Sequence, residues 1–238
     1  MVSIGYSDEH LHAKALKLAD ELKLPLNENE YPQLFVTDER LELHIQGFSP
    51  LYVDFQDASI LKKQFDGQKQ GLIQAVKPKE GLSIIDATAG WGKDASMLAQ
   101  FGANVLMIER SPVMAALLAD GLIRLRDEDK RVAHLSLYHG DAHTYLSQLN
   151  PSEYPDVIYL DPMHPERQKK ALVKKDMQAL QQLLGADLDA ESLLEIALLK
   201  AKQKVVLKWP KLGKTLLTPY HSYKGKTVRF DVYKPKVD

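Results

Sequence analysis

No cysteine occurs in the 238-residue chain, which removes disulfide frameworks, thiolate zinc sites and cysteine nucleophiles at once. Long apolar runs are missing too. The longest, Val113 to Ala119, falls far short of the roughly 18 residues a membrane span requires. Met1 to Asp20 carries acids and histidines with no apolar centre, so it does not read as a signal peptide, and a cytoplasmic protein is expected. The eight histidines show no metal-ligand spacing: His10 and His12 alternate, and Gly140 and Asp141 stand between His139 and His143. No Ser-His-Asp order accompanies a nucleophile-elbow glycine pair. Neither a metal nor a covalent nucleophile is expected.

What is present is ordinary in bulk, with 45% apolar and 26% charged residues, which excludes disorder, collagen and coiled coil. This length suits one large domain with an appendage. The charge is uneven. Residues 1–66 hold 12 Asp/Glu against 6 Lys/Arg, a net of −6. Residues 200–238 hold 11 Lys/Arg against Asp231 and Asp238, a net of +9. Such segregation can mark an end that faces a polyanion, or lysines that only solvate an exposed hairpin.

The first 56 residues read as a small α+β unit. A strand over Val2 to Tyr6 precedes a helix between Asp8 and Lys23, with Leu11, Leu16, Leu18 and Leu22 near helical spacing. A hairpin over residues 34–45 and a strand over Leu51 to Phe55 follow. From residue 57 to 238 helices and strands alternate. Helices are expected at about Ser59–Val76, Asp94–Phe101, Pro112–Arg126, Ala142–Leu149, Gln168–Leu184 and Ala190–Lys200. Strands are expected at Leu82–Asp86, Ala103–Glu109, Ala133–Tyr138, Asp156–Leu160 and Lys204–Lys208. Thr215–Tyr220 and Thr227–Tyr233 read as a closing antiparallel hairpin around Lys224-Gly225. This order predicts an α/β fold, a doubly wound, mostly parallel sheet that binds its ligand at the carboxyl ends of the strands.

Those strand ends carry the chemistry. Asp86-Ala-Thr88-Ala-Gly90-Trp-Gly92-Lys93-Asp94 is a strand end running through a glycine turn into a helix. Gly90 and Gly92 allow a sharp turn and close approach to a ligand. The next strand ends in Glu109, where an acid can accept both hydroxyls of a ribose. The pattern also fits a dinucleotide turn. However, a carboxylate at Asp86 suits the ammonium of an amino-acid moiety, such as S-adenosylmethionine carries. Asp141, with Ala142 behind it, could accept an adenine amine or simply cap the helix that follows. Asp161-Pro162-Met163-His164 ends the fourth strand of the alternating region. An acid, a proline and a flat side chain in this order suit methyl transfer to a planar exocyclic amine. Asp161 and the Pro162 carbonyl can accept the amine hydrogens and aim its lone pair, while a ring at position 164 stacks on the base. Most of the rate would then come from positioning. Arg167, Lys169, Lys170, Lys174 and Lys175 follow, with Lys170 and Lys174 on one helix face. They could hold phosphates or only face solvent.

Together, Asp86–Asp94, Ile108–Val113, Ala115–Leu122, Tyr159–Met163 and Gln168–Lys175 closely resemble the RsmJ family of bacterial small-subunit ribosomal RNA guanine-N2 methyltransferases. The resemblance covers about residues 50–235. It implies a class I S-adenosylmethionine-dependent fold that methylates one guanosine of 16S ribosomal RNA, free or in the small subunit. By position the cofactor would meet Thr88 within the glycine turn, Lys93, Asp94, Glu109, Arg110, Asp141, Ala142 and Asp161. Two departures stand out. The family tends to carry small hydroxyl residues where this chain has Asp141 and Ala142, and often Phe where it has His164. The same Asp-Pro loop would serve a methyltransferase for adenine N6 or a protein glutamine. An RNA-binding ribosome-assembly factor with a vestigial cofactor site is the reading from another class, and the intact Asp86, Gly90, Gly92, Glu109 and Asp161 argue against it.

Overall fold

The computed structural model describes residues 2–26, 31–56, 70–125, 129, 132–163 and 189–236. The chain opens with β1 (Ser3–Tyr6), α1 (His12–Leu22), β2 (Gln33–Val36) and β3 (Leu41–His44). Asp8 starts the helical region by accepting the His10 N–H, so a 3-10 turn over Glu9–Leu11 leads into α1. β1 pairs with β2 in parallel, and β2 with β3 as the expected hairpin, making a three-stranded sheet. Of the strand expected over Leu51–Phe55, only Leu51 pairs, bridging to Leu43. Val53 and Phe55 are buried instead, and side-chain packing holds that segment without a ladder.

Beyond these come α2 (Gln70–Val76), β4 (Ser83–Asp86), α3 (Lys93–Ala99), β5 (Asn104–Glu109) and α4 (Pro112–Arg124). β6 (Leu135–His139), α5 (Ala142–Gln148), β7 (Val157–Leu160) and α6 (Ala190–Lys200) follow. β8 (Lys204–Pro210), β9 (His221–Lys224) and β10 (Val228–Tyr233) close the chain. The seven-stranded sheet runs β6-β5-β4-β7-β8-β10-β9. Its first five strands are parallel, and β10 lies antiparallel to both neighbours.

Alternation along the strands sorts side chains onto two covered faces. Ile84, Met107, Tyr159 and Val206 pack with Leu72, Leu98, Met114 and Leu118 on one face. Ile85, Ile108, Ile158, Leu160 and Leu207 pack with Leu146, Leu194 and Leu198 on the other. The core of the small sheet (Ile4, Leu34, Leu43 and Phe55) continues into the first of these clusters.

Two local expectations change. β6 starts at Leu135, because Val132–His134 form a 3-10 turn. The first arm of the closing hairpin is His221–Lys224, not Thr215–Tyr220. Arg229 accounts for this. Its Nη1 donates to the carbonyls of Pro210, Lys211 and Gly213 at 2.8–3.0 Å, which fixes the segment after β8 as a loop. Part of the expected helix over Ser59–Val76, and all of that over Gln168–Leu184, lie outside the described residues. No helix among the described residues is long and apolar enough to cross a membrane. The chain order reverses between β4 and β7, and in doubly wound sheets the crevice opens at that switch.

Candidate active site

A cavity of about 540 Å³ lies at that switch, within the range of small-molecule sites. Asp86 closes its floor from the end of β4 and is almost fully buried. Burial pushes its carboxyl up to about 8, with Asp94 and Asp161 adding to the rise and the Thr88 N–H and Lys208 opposing it. The Thr88 N–H donates to Asp86 Oδ1 at 3.2 Å. Gly90 (φ +52°) and Gly92 (φ +66°) both take the left-handed conformation the turn needs, but for different surroundings. A Cβ on Gly90 would meet nothing nearer than the Thr88 carbonyl at 3.9 Å, and Gly90 lines the cavity. A Cβ on Gly92 would strike Leu118 and Phe55 at 2.9 Å. Gly92 serves core packing, and it is not among the residues lining the cavity.

At the end of β5 the buried Glu109 carboxylate accepts the Gly90 N–H at 3.0 Å and the Ser111 N–H at 2.8 Å. Asp141 caps α5 by accepting the Thr144 N–H at 2.7 Å, and that bond holds its carboxyl below the usual carboxylate value. Both roles weighed for it are open, since Asp141 and the buried Ala142 also line the cavity. Arg110, exposed at the rim, reaches Asp189 at 3.2 Å.

Asp161 lies just past β7, and its N–H donates to Thr88 Oγ1 at 2.6 Å, which ties the Asp-Pro loop to the glycine turn. Its carboxylate meets a residue that no sequence motif singles out. Lys208 Nζ lies 2.6 Å from Asp161 Oδ2 and 2.9 Å from Asp94 Oδ2. Asp94 Oδ2 also accepts the Tyr159 hydroxyl at 2.7 Å. Burial works against the Lys208 charge, but the Asp161 and Asp94 carboxylates outweigh it and hold its pKa above the ordinary lysine value. Burial likewise keeps Tyr159 protonated. A signal for Lys208 exists in the sequence: it is a charged residue near the carboxyl end of a buried strand, as Asp86 is.

The cavity thus brings together Asp86, Thr88, Gly90, Lys93, Asp94, Glu109, Arg110, Asp141, Ala142, Asp161 and Pro162. His164, Arg167, Lys169, Lys170, Lys174 and Lys175 lie outside the described residues. No metal-binding cluster of His, Asp or Glu occurs among the described residues. A second groove, of about 370 Å³, opens at the amino-terminal end of β8. Lys77, Lys204, His221 and Lys234 line it with Tyr220, Tyr223 and Tyr233, and no acid is among its described lining residues. Lys234 Nζ sits 4.2 Å over the Tyr220 ring. Burial, then Lys77, lower the pKa of Lys204, whose Nζ donates to the Ala75 carbonyl at 3.1 Å.

The family model described as "Putative SAM-dependent methyltransferase" matches residues 17–235. A curated relative from Legionella pneumophila strain Corby, named ribosomal RNA small subunit methyltransferase J, is 53% identical over 98% of this chain and 96% of its own. A protein of the same name from Coxiella burnetii strain Dugway 5J108-111 is 46% identical, with 98% and 96% covered. The crystal structure of a SAM-dependent methyltransferase from Neisseria gonorrhoeae superposes with a TM-score of 0.76 at 30% identity, covering 98% of this chain and 96% of that one.

Proposed function

Because the chain belongs to the ribosomal RNA small subunit methyltransferase J family of SAM-dependent methyltransferases, we propose that it methylates the exocyclic N2 amine of a guanosine in small-subunit ribosomal RNA. The observation that carries the reading is the Asp161-Pro162 loop, held by Thr88 beside Asp86 and Glu109 in one cavity.

S-adenosylmethionine supplies an electrophilic methyl group on a sulfonium. Asp86, at the buried end of β4, is the acceptor for its ammonium, and Glu109 for its ribose hydroxyls. Asp141 and Ala142 flank the adenine. An aryl amine is a poor nucleophile because its lone pair is delocalised into the ring. Asp161 and the Pro162 carbonyl would accept the two N–H groups and turn that lone pair toward the methyl carbon. Transfer would leave the S–C bond pair on sulfur, and the methylated amine would release one of its protons to water. The contribution of these residues is alignment rather than acid–base chemistry.

A paired guanine cannot reach a buried methyl donor, so the base must leave its stack at a cost of a few kcal/mol. Basic groups that grip the flanking phosphates compensate. Arg167, Lys169, Lys170, Lys174 and Lys175 are placed for this by their nearness to Asp161 in sequence. The groove lined by Lys77, Lys204 and Lys234 supports a second contact.

Mass spectrometry of ribosomal RNA nucleosides from a deletion strain tests the reading. The N2-methylguanosine content should fall and return with the wild-type gene, but not with Asp161→Ala. The purified Asp161→Ala protein should still fold, with a lowered melting temperature because Lys208 loses one of its two carboxylate partners. Unchanged N2-methylguanosine in the deletion strain would overturn the guanine assignment. Loss of an N6-methyladenosine, or of a methylglutamine in a protein digest from the same strain, would redirect it. Near-wild-type transfer by Asp161→Ala would overturn the role of the loop.

A further inference from the structure

We propose that Lys208 is a positioning residue for methyl transfer, fixing the Asp161 carboxylate and joining it to Asp94 at the start of α3. The inference rests on the reading that Asp161 accepts the target amine.

The backbone register explains how a lysine from a late strand comes to stand here. β7 and β8 pair in parallel with Leu160 opposite Leu207, so Asp161 and Lys208 are the next positions along. Paired strands lie about 4.8 Å apart, within reach of a lysine side chain. Alternation puts Lys208 on the face of Val206, and Asp161 on the face of Tyr159. Asp86 follows Ile84 onto that same face from β4, which adjoins β7. Three neighbouring strands therefore deliver Asp86, Asp161 and Lys208 to one corner of the sheet, and α3 adds Asp94.

The charges there need an internal cation. Asp86, Asp94 and Asp161 converge with the Tyr159 hydroxyl, and Lys208 Nζ bonds two of the three carboxylates at 2.6 and 2.9 Å. Like charges so close favour proton uptake by one of the acids. A protonated Asp161 would become a donor toward its neighbours, and the amine would lose a charged acceptor. The ammonium prevents this, and by holding Oδ2 it sets the direction in which the carboxylate faces. With Thr88 on the Asp161 N–H, the residue is held from both main chain and side chain. Lys208 is not the base of the reaction, because the two carboxylates keep it protonated.

The test is the single-turnover methylation rate on small-subunit RNA between pH 5.5 and 9.5, for wild type, Lys208→Met and Lys208→Arg. Lys208→Met should lower the rate at neutral pH by about tenfold or more, a loss expected of misalignment. RNA affinity should stay within about twofold, since no described phosphate-facing group changes. With S-adenosylmethionine saturating at every pH, so that ionisation of Asp86 does not limit the rate, the acid limb of this variant should move alkaline by about one unit or more, because Asp161 loses an adjacent cation. Lys208→Arg keeps the charge, so its limb should stay at the wild-type position even if its rate falls. A Lys208→Met profile that superposes on wild type overturns the proposal. If Lys208→Met fails to fold, Lys208→Arg still decides: an alkaline-shifted limb overturns the inference, and an unshifted one supports it. Should Asp161→Ala itself transfer methyl groups at the wild-type rate, it is the reading of Asp161 that fails. An inactive Asp161→Ala beside a wild-type profile for Lys208→Met defeats only the role of Lys208.

Discussion

Asp86 carries a cost in stability that its proposed role in binding would explain. In water its carboxyl would ionise near 3.8, but in the fold burial moves that to about 8. Between those values the folded protein binds a proton that the unfolded chain does not. The stability this group contributes is therefore complete below pH 3.8 and declines as pH rises toward about 8. Asp86→Asn removes the ionisation, so its melting temperature should gain on wild type across that window, by at most about 1.4 kcal/mol per pH unit. On the proposed reading the same change should weaken S-adenosylmethionine binding, because the amide carries no charge to set against the cofactor ammonium. In the wild type, S-adenosylmethionine affinity by calorimetry should rise toward tenfold per unit from pH 6 to near 8. It should fall above that, where an α-ammonium loses its own proton. A wild-type affinity that is level from pH 6 to 8, or an Asp86→Asn protein that binds as tightly as wild type, would count against this role.

At the scale of elements, the glycine turn between β4 and α3 separates two demands that look alike in the sequence. Both glycines hold positive φ, so alanine at either costs about 1–2 kcal/mol. At position 92 the added methyl also meets Leu118 and Phe55, adding about 1–3 kcal/mol of overpacking. Gly92→Ala should therefore show the larger drop in melting temperature. Gly90→Ala should show the larger loss of cofactor affinity per degree of melting lost, because its methyl would stand at the cavity wall. Equal stability losses would mean that Phe55 and Leu118 yield more easily than their burial implies. The existence of this turn was legible, as were β4, β5, β7 and β8, whose apolar runs end in charged residues or Pro. Which glycine lines the cavity was not, because Gly92 packs on Phe55, a residue 37 positions earlier in the chain. The misplaced hairpin arm has a similar cause: Arg229 holds residues 210–213 by their carbonyls, and no local propensity records a bond from a later strand. Lys208 shows in the sequence only as a charged residue near the end of a buried strand, and its partner comes from register with Asp161, which no local pattern records. Residues that end strands were readable one by one, while their mutual contacts belong to the sheet.

On the scale of the whole molecule, the uneven charge becomes a matter of where the chain ends are placed. The cavity opens at the carboxyl ends of the parallel strands, and the lysine-lined groove lies at the opposite end of β8. Lys204 and Lys208 mark the two ends, four residues apart, or about 13 Å along a strand. A small ligand cannot touch both, but a folded RNA can, so cofactor binding and RNA binding should respond to different substitutions. Lys204 is half-buried and holds the Ala75 carbonyl, which makes it a poor probe. Lys77 and Lys234 are exposed. Replacing both with Gln should weaken binding of small-subunit RNA and flatten its logarithmic salt dependence by about 0.7–0.9 for each phosphate no longer neutralised. S-adenosylmethionine affinity should not change. Lys170→Gln with Lys174→Gln, measured the same way, reports on the segment after the Asp-Pro loop. A flatter slope in both pairs means that the RNA spans from the active edge to the far hairpin. If the Lys77 and Lys234 pair leaves affinity and slope as they were, those lysines only solvate the hairpin, and the positive end of the chain has no part in holding RNA.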